Sequence, residues 1–391
     1  MKGLRKYLSP FAPDQSGAVS SLYEMGALIV INDAGGCVGN ICGYDEPRWH
    51  QYRKSAICSA TLRDLDAILG RDKLLIDKIG DTMEMVDCNF IALIGTPIPA
   101  VIGTDLRALK RIIENKYHIP VLAIDTNGME LYDKGQTKAS LALLKEFCLK
   151  QDESQTLSSP DITIVGASAL DLPSMESRAT LRAFLSHEGF TTSYLEDSLE
   201  TVQSAKNARL TLVVSPSGVK VAKKLQQTYH IPYICCYPLT QEDYTELSES
   251  AHHILGKETA EKKQTRDTRV KRAQLNALVT NKKVLIVHQS VIANTLRNNL
   301  FSAQRVDIAT WFTSIPKEEH TKGENFSLKE EDDLLALCRK EAYDLVIGDP
   351  LLKRALPHWE GTFLPLPHFA ISGALNQIDK EEDFLKGLYH A

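Results

Sequence analysis

The sequence predicts an α/β fold of three Rossmann-like, doubly wound parallel-sheet domains around a central cleft. Three observations predict it. Short apolar, β-branched runs recur along the chain, with amphipathic stretches between them. The runs are uniformly apolar, as strands covered by helices on both faces must be. The length of 391 residues suits two or three domains at roughly 100–200 residues each.

In chain order the runs are Leu28–Ile31, Phe90–Ile94, Val121–Ile124, Ile162–Val165, Leu210–Val214, Tyr233–Cys236, Val284–Val287 and Leu345–Ile347. Each is too short for a helix and lacks the alternation of a half-exposed strand. Between them, Asp105–Tyr117 and Val219–Tyr229 carry apolar residues three and four apart among Lys, Arg, Glu and Gln. That spacing predicts crossover helices. Tyr117-His-Ile-Pro120 recurs as Tyr229-His-Ile-Pro232, each between such a helix and a strand. The repeat predicts two units built alike, and the proline starts the strand.

Lys150–Asp161 is polar and ends in the breaker cluster Ser-Ser-Pro-Asp. Gly256–Asn276 holds seven basic and three acidic residues and reads as a solvated connecting helix. Pro316–Asp333, with seven acidic and three basic residues, reads as a surface excursion of the last domain. The expected domains are therefore 1–155, 156–262 and 263–391.

Net charge is −5, which gives no strong drive toward nucleic acid or an acidic membrane. No apolar run approaches the roughly 20 residues that span a bilayer. The N-terminal MKGLRKYLSPFAPDQSG lacks the apolar stretch of a signal peptide. The expectation is a cytoplasmic protein with reduced thiols. GxxxxGK[ST] is absent, so ATP hydrolysis by this chain is not expected. No GxGxxG follows a strand. No His-x-x-x-His or paired CxxC suggests zinc.

The stretch Asn32–Gly43 (NDAGGCVGNICG) directly follows the strand ALIVI, where ligands bind in doubly wound sheets. Gly35, Gly36, Gly39 and Gly43 permit close backbone approach or positive φ. Cys37 and Cys42 have C-x4-C spacing, but the third position of a plant-type ferredoxin set is Asp45. Spacing alone leaves two readings open: a glycine turn with two buried thiols, or half of a cluster site. Four of the eight cysteines, Cys37, Cys42, Cys58 and Cys88, lie in the first quarter of the chain. Cys235 and Cys236 in a strand, and Cys148 and Cys338 on helices, read as packing, as does Cys88. Cys58 fits either role. His288 ends a strand and His368 follows Pro365 and Pro367. Each is a catalytic candidate or a bonded core imidazole, with His368 preferred. Trp49 reads as a packing anchor or subunit contact.

Over most of its length the chain resembles the nitrogenase component 1 superfamily. That family includes the nitrogenase component 1 subunits, the scaffold on which their cofactor matures, and the light-independent protochlorophyllide and chlorophyllide reductases. Asp33-Ala-Gly-Gly-Cys37 looks like its Gly-Pro-x-Gly-Cys loop. Leu65-Asp-Ala-Ile-Leu-Gly70 resembles its Asp-Ile/Val-Val-Phe-Gly. Thr96-Pro-Ile-Pro-Ala-Val-Ile-Gly-Thr-Asp105 resembles Cys-Pro-x-x-x-Ile-Gly-Asp-Asp. Gln226–Pro232 resembles Glu-Lys-Tyr-Gly-Ile-Pro, and His368-Phe-Ala-Ile-Ser-Gly373 resembles Trp-Asp-Tyr-Ser-Gly.

The resemblance implies electron delivery by a separate P-loop iron–sulfur reductase, a nitrogenase component 2-like protein. It implies an interfacial iron–sulfur cluster of [4Fe-4S] type that relays electrons to a substrate between domains. It implies a second component 1-like chain, or a second copy of this one. Only Cys37 carries over as a cluster ligand. Where the nitrogenases place other cysteines, this chain reads Ser9–Asp14 and Thr96. Cys42, Cys58 and, as an oxygen ligand, Asp14 are the candidate substitutes, with Gly35, Gly36 and Gly39 as the cradle. The family's ligands to the large catalytic cluster fall near Ser215 and Pro367. So no iron–molybdenum cofactor and no dinitrogen reduction are expected. A non-catalytic scaffold for metallocluster or tetrapyrrole maturation, and an iron-free binding protein or synthase, remain as other readings.

Overall fold

A computed structural model describes residues 5–39, 41, 55–70, 72–150, 158–174, 176–257, 271–316 and 323–389. Thirteen strands form three sheets among these residues, every pairing between named strands being parallel. The first holds β1 (Ala27–Ile31), β2 (Ala56–Ser59), β3 (Phe90–Ile94) and β4 (Val121–Ile124), in the order β2-β1-β3-β4. The second holds β5 (Ile162–Val165), β6 (Thr192–Tyr194), β7 (Leu210–Val213) and β8 (Tyr233–Cys235), in the order β6-β5-β7-β8. These two orders are the same permutation, that of flavodoxin-like sheets. The third holds β9 (Lys283–Val287), β10 (Arg305–Thr310), β11 (Asn325–Ser327), β12 (Leu345–Gly348) and β13 (Thr362–Pro365). Its order β11-β10-β9-β12-β13 is that of the first five strands of a Rossmann sheet, 3-2-1-4-5.

The eight apolar runs all form strands, and the two helices read from periodicity form as well. Val219–Tyr229 is helical throughout. The other helix is Leu106–Tyr117, because the Asp105 carboxylate steps outside it and accepts from Arg107 N and Ala108 N at 3.0 Å. The repeated Tyr-His-Ile-Pro is a repeat of conformation. His118 and His230 end their helices in the left-handed region, at φ 54° and 58°, and return their N–H to Glu114 and Gln226.

Two expectations need adjusting. Cys235 and Cys236 are only half-buried, because β8 is an edge strand rather than an interior one. The acidic stretch in the last domain is not wholly loop. It contributes the edge strand β11 and the first turn of the helix Glu331–Glu341.

β1 divides its side chains between two cores. Leu28 and Val30 pack with Ile91, Leu75, Ile79 and Leu109. Ile29 and Ile31 face the helices Asp14–Ser20 and Tyr132–Leu143, in a core that continues into both other sheets through Val165, Val213, Leu285 and Val287. The 14–20 and 132–143 helices approach until their backbones touch. A Cβ on Gly17 would lie 1.9 Å from the Tyr132 carbonyl oxygen, and one on Gly135 would lie 1.7 Å from that of Asp14. Glycine is what the contact permits. Among the described residues no helix is long and apolar enough to cross a membrane.

Candidate functional site

Because the first sheet is parallel, all its strands deliver their following loops to one edge. β1 leads there into Asn32–Gly39. The buried Asp33 carboxylate organises this turn: its Oδ2 accepts from Gly35 N at 2.8 Å and Cys37 N at 2.9 Å. Thr96, following β3, donates its hydroxyl to the Asn32 carbonyl at 2.8 Å. Gly35 sits at φ +126°, a conformation that L side chains rarely adopt. Gly36 and Gly39 have ordinary φ, and the space a Cβ would occupy is open at both.

The turn presents Cys37, half-buried, to a groove of about 740 Å³ lined also by Arg5, Pro10, Gln15, Gly128 and Leu375. Burial, then the Asp33 carboxylate, push the thiol above its ordinary range, and a hydrogen bond from Gln15 pulls the other way. Gln15 is 5% exposed and its Oε1 has no hydrogen-bond partner. The N-terminal arm that walls the groove is pinned by Glu331. Its carboxylate accepts the amides of Lys6, Tyr7 and Leu8 at 2.7–3.2 Å.

The other sequence-derived candidates do not converge on Cys37. Asp14 is fully buried and turned away from the groove. Its Oδ1 accepts from Gly128 N at 2.7 Å and its Oδ2 from Asn127 N at 3.0 Å, with Lys138 3.8 Å away. Burial raises its pKa. Its work is to hold the loop after β4. Cys58 is on β2 and lines a separate hollow with Val30, Leu75 and Lys78, across the sheet from the Cys37 core. Cys42 and Trp49 lie outside the described residues. Among the described residues no three His, Cys, Asp or Glu side chains form a metal-ligand set.

His368 lies at the junction of the three sheets. It is 2% exposed, with ring contacts to Phe312 at 5.1 Å, His288 at 4.6 Å and Tyr132 at 5.7 Å. The Tyr132 hydroxyl donates to Asp171 at 2.7 Å and meets His368 Nε2 at 3.1 Å. A hydrogen-bonded chain thus links the third sheet's His368 to the second sheet's Asp171 through a tyrosine between them. Burial pushes Asp171 up to about 7 and the Tyr132 phenol well above its usual value. Burial also lowers His288 to about 4, while its Nε2 sits 3.3 Å from the Pro367 carbonyl. So near neutrality this junction holds neutral imidazole at His288 and a carboxyl poised between its two forms at Asp171. Ser215 is fully buried and shares a 2.7 Å hydrogen bond with Ser217.

Sequence reasoning missed Gln15, Asp33, Tyr132 and Asp171. Asp33 had a local signal, an Asp two residues before a glycine turn. The other three had none, since each acquires its setting through chain-distant partners.

A family profile described as nitrogenase component 1 type oxidoreductase matches residues 39–356. Nitrogenase iron-molybdenum cofactor biosynthesis protein NifE of Bradyrhizobium diazoefficiens is 26% identical over 180 residues. That match spans 44% of this chain and 31% of the relative, under a third of its length. A structure titled "Nitrogenase Cp1 at pH 5" superposes with a TM-score of 0.69 at 14% identity, covering 100% of this chain and 90% of the other. A second, "Nitrogenase Cp1 at pH 6.5", gives 0.71 at 14% identity, covering 99% and 92%. At that identity the structures establish a shared fold. With the profile matching residues 39–356, well over half of its length, the chain belongs to the nitrogenase component 1 type oxidoreductase family.

Proposed function

We propose that this chain is a component 1-like oxidoreductase subunit. It takes electrons from an ATP-dependent, P-loop iron–sulfur reductase through a [4Fe-4S]-type cluster held partly by Cys37, and passes them to a substrate other than dinitrogen. One observation carries the reading: Cys37, the one candidate thiol in the groove among the described residues, stands on a turn locked by Asp33 at the ligand-bearing edge of a parallel sheet. Among the described residues Cys37 has no companion ligands that complete a set on one chain, so a cluster there would need further ligands from elsewhere. A cluster shared across an interface suits it.

The same edge supports an interface. Leu65 and Ile68 follow β2, Ile98, Val101 and Ile102 follow β3, and Met129 follows β4; these side chains are exposed, Val101 by 86%. Apolar patches of this kind mark contact surfaces. The partner is a second component 1-like chain or a second copy of this one. No nucleic acid or membrane enters the reading. Bound there, the cluster would supply one-electron transfer. The chain's own groups supply position: Asp33 fixes the Cys37 backbone, and Glu331 holds the groove wall.

By the resemblance, the ligands of the nitrogenases' large cluster would fall near Ser215 and Pro367, which speaks against an iron–molybdenum cofactor. A second reading is favoured by the packed junction. Tyr132, Phe312 and His368 fill the place between the sheets, and NifE of Bradyrhizobium diazoefficiens, 26% identical over 180 residues, is a cofactor biosynthesis protein. On that reading the chain is a maturation scaffold or partner subunit.

Anaerobic purification tests the first reading. Stoichiometric iron and sulfide with visible charge-transfer absorbance, both lost in Cys37→Ala, support it. An iron-free wild type, or an unchanged spectrum in the variant, overturns the ligand assignment. Reoxidation by candidate substrates in the presence of the reductase and ATP separates enzyme from scaffold.

A further inference from the structure

Tyr132 carries a hydroxyl where packing asks for none. Its ring is fully buried, in contact with Phe312 at 5.0 Å and His368 at 5.7 Å, and phenylalanine would fill the same space. The hydroxyl stands between two chemically different groups from the other two sheets, Asp171 Oδ1 at 2.7 Å and His368 Nε2 at 3.1 Å. Asp171 and His368 are each 2% exposed, and burying a carboxyl costs stability unless something else is gained. The backbones on either side are held. The Tyr132 carbonyl abuts Gly17, and the Asp349 carboxylate accepts His368 N at 2.8 Å.

A phenol has one hydrogen to share between these two partners, so the direction of the chain follows the charge on Asp171. An ionised Asp171 can only accept. Tyr132 then donates to it, and His368 Nε2 carries a hydrogen and donates to the phenol oxygen. A protonated Asp171 donates to the phenol oxygen, Tyr132 donates to Nε2, and the ring hydrogen sits on Nδ1. From this geometry we infer that Tyr132 relays a proton between Asp171 and His368, which makes the junction of the three sheets a proton path. On release, the carboxyl proton passes to the phenol oxygen, the phenol proton passes to Nε2, and the proton on Nδ1 leaves to solvent. The imidazole begins and ends neutral, the carboxyl ends as carboxylate, and no bond between heavy atoms breaks. Burial holds the phenol well above its usual range, so Tyr132 stays neutral throughout. Other titratable groups face the chain. Asp133 accepts Thr313 N at 2.8 Å, and Lys134 donates to Thr313 Oγ1 at 2.8 Å. The His288 ring lies 4.6 Å from that of His368 and is neutral down to about 4. Asp349 holds the His368 amide and the Ser372 hydroxyl. The relay needs no metal at Cys37 and does not rest on the cluster reading.

The test follows the histidine ring-nitrogen NMR signals of the full chain, without added metal, between about pH 5 and 8. The variant His368→Gln identifies the His368 signals by their loss. In wild type the Nε2 signal is expected to move from the unprotonated to the protonated range with a midpoint at about 7. The infrared carboxyl stretch that Asp171→Asn deletes should fade in step. Tyr132→Phe keeps the ring and removes the relay: that stretch still titrates, and His368 no longer follows it. Asp171→Asn is expected to hold one tautomer at His368 across the range. A wild-type Nε2 signal that stays in place overturns the inference, whether or not Asp171 titrates. So does a tautomer switch that survives in either variant, since it then belongs to Asp133, Asp349 or His368 itself. Should Tyr132→Phe fail to fold, wild type and Asp171→Asn decide the matter by the same criteria.

Discussion

The carboxylate of Asp33 accepts the backbone amide of Cys37 at 2.9 Å, through the same oxygen that accepts Gly35 N at 2.8 Å. One buried side chain therefore sets where the candidate ligand stands. Its removal leaves two amides short of an acceptor. Asp33→Ala is expected to lose about 1–3 kcal/mol in denaturant unfolding and to bind less iron on reconstitution. Asp33→Asn, which keeps an acceptor oxygen, should lose less of both. Wild-type stability in Asp33→Ala would show that the turn holds itself.

The contact of Gly17 and Gly135 with facing backbone predicts a severe effect from a single methyl. The obstructing atoms are carbonyl groups of the Asp14 and Tyr132 region, which cannot rotate away as a side chain could. Gly135→Ala must separate the two helices, opening the core around Ile29, Ile31 and Ala139. A loss of at least about 3 kcal/mol is expected, read by thermal or denaturant melting. Gly36→Ala, where space is open, serves as the control and should stay within about 0.5 kcal/mol. Equal effects at the two positions would refute the close-packing account.

The strands legible in the sequence are those whose own residues form an apolar run, the edge strands β4 and β8 included. Those missed have a local reason. β2, β6, β11 and β13 lie at sheet edges too, but their residues are mixed and their runs short: AICS, TSY, NFS and TFLP. β10 is interior but carries Arg305 and Asp307. Asp307 is fully buried, 2.6 Å from the Tyr343 hydroxyl and ion-paired with Arg305 at 2.9 Å. A charged pair that neutralises itself inside a sheet looks, in sequence, like a loop. The site divides the same way. Cys37 and its glycines are contiguous and were readable. The bonds joining Tyr132 to Asp171 and His368 span 39 and 236 residues, and only the assembled sheets bring them together.

Asp171 predicts how stability depends on pH. Its carboxyl titrates near 7 in the folded protein, against an ordinary value of 3.8, because burial disfavours the charge. Between those values the unfolded chain has released this proton and the folded one has kept it. Stability from this group is therefore present below pH 3.8 and lost as pH rises to about 7. Asp171→Asn abolishes that dependence. Relative to wild type it should gain with rising pH, by an upper bound of about 4 kcal/mol at pH 7 and above. His288, held neutral down to about 4, works oppositely and costs stability as pH falls from about 6.5 to 4. Parallel stability–pH curves for wild type and Asp171→Asn would refute the assignment.

Glu331 gathers three consecutive amides of the N-terminal arm, so the groove wall depends on one carboxylate more than 300 residues away in sequence. Glu331→Ala is expected to free the arm before it weakens the core. Limited proteolysis should then cut near residues 5–10 several-fold faster than in wild type, at nearly unchanged melting temperature. Unchanged cleavage would mean that Phe11, packed on Trp311 and Phe312, holds the arm alone.

The exposed apolar edge makes the last prediction. Ile68 and Val101 are 76% and 86% exposed, yet they follow adjacent regions of the strand ends that carry Cys37. A large aliphatic side chain standing free in water gains nothing for the isolated fold, so its replacement by Glu should change monomer stability by no more than about 0.5 kcal/mol. Within an interface the same change buries an unpaired carboxylate, which costs several kcal/mol. That is enough to lower a dimer's affinity by more than a hundredfold. The double variant Ile68→Glu, Val101→Glu is therefore expected to melt like wild type while sedimenting as a monomer at concentrations where wild type associates. If a second kind of chain is the partner, the variant should instead fail to co-purify with it. A double variant that associates as wild type does would place the interface elsewhere, and with it the shared cluster that Cys37 is proposed to hold.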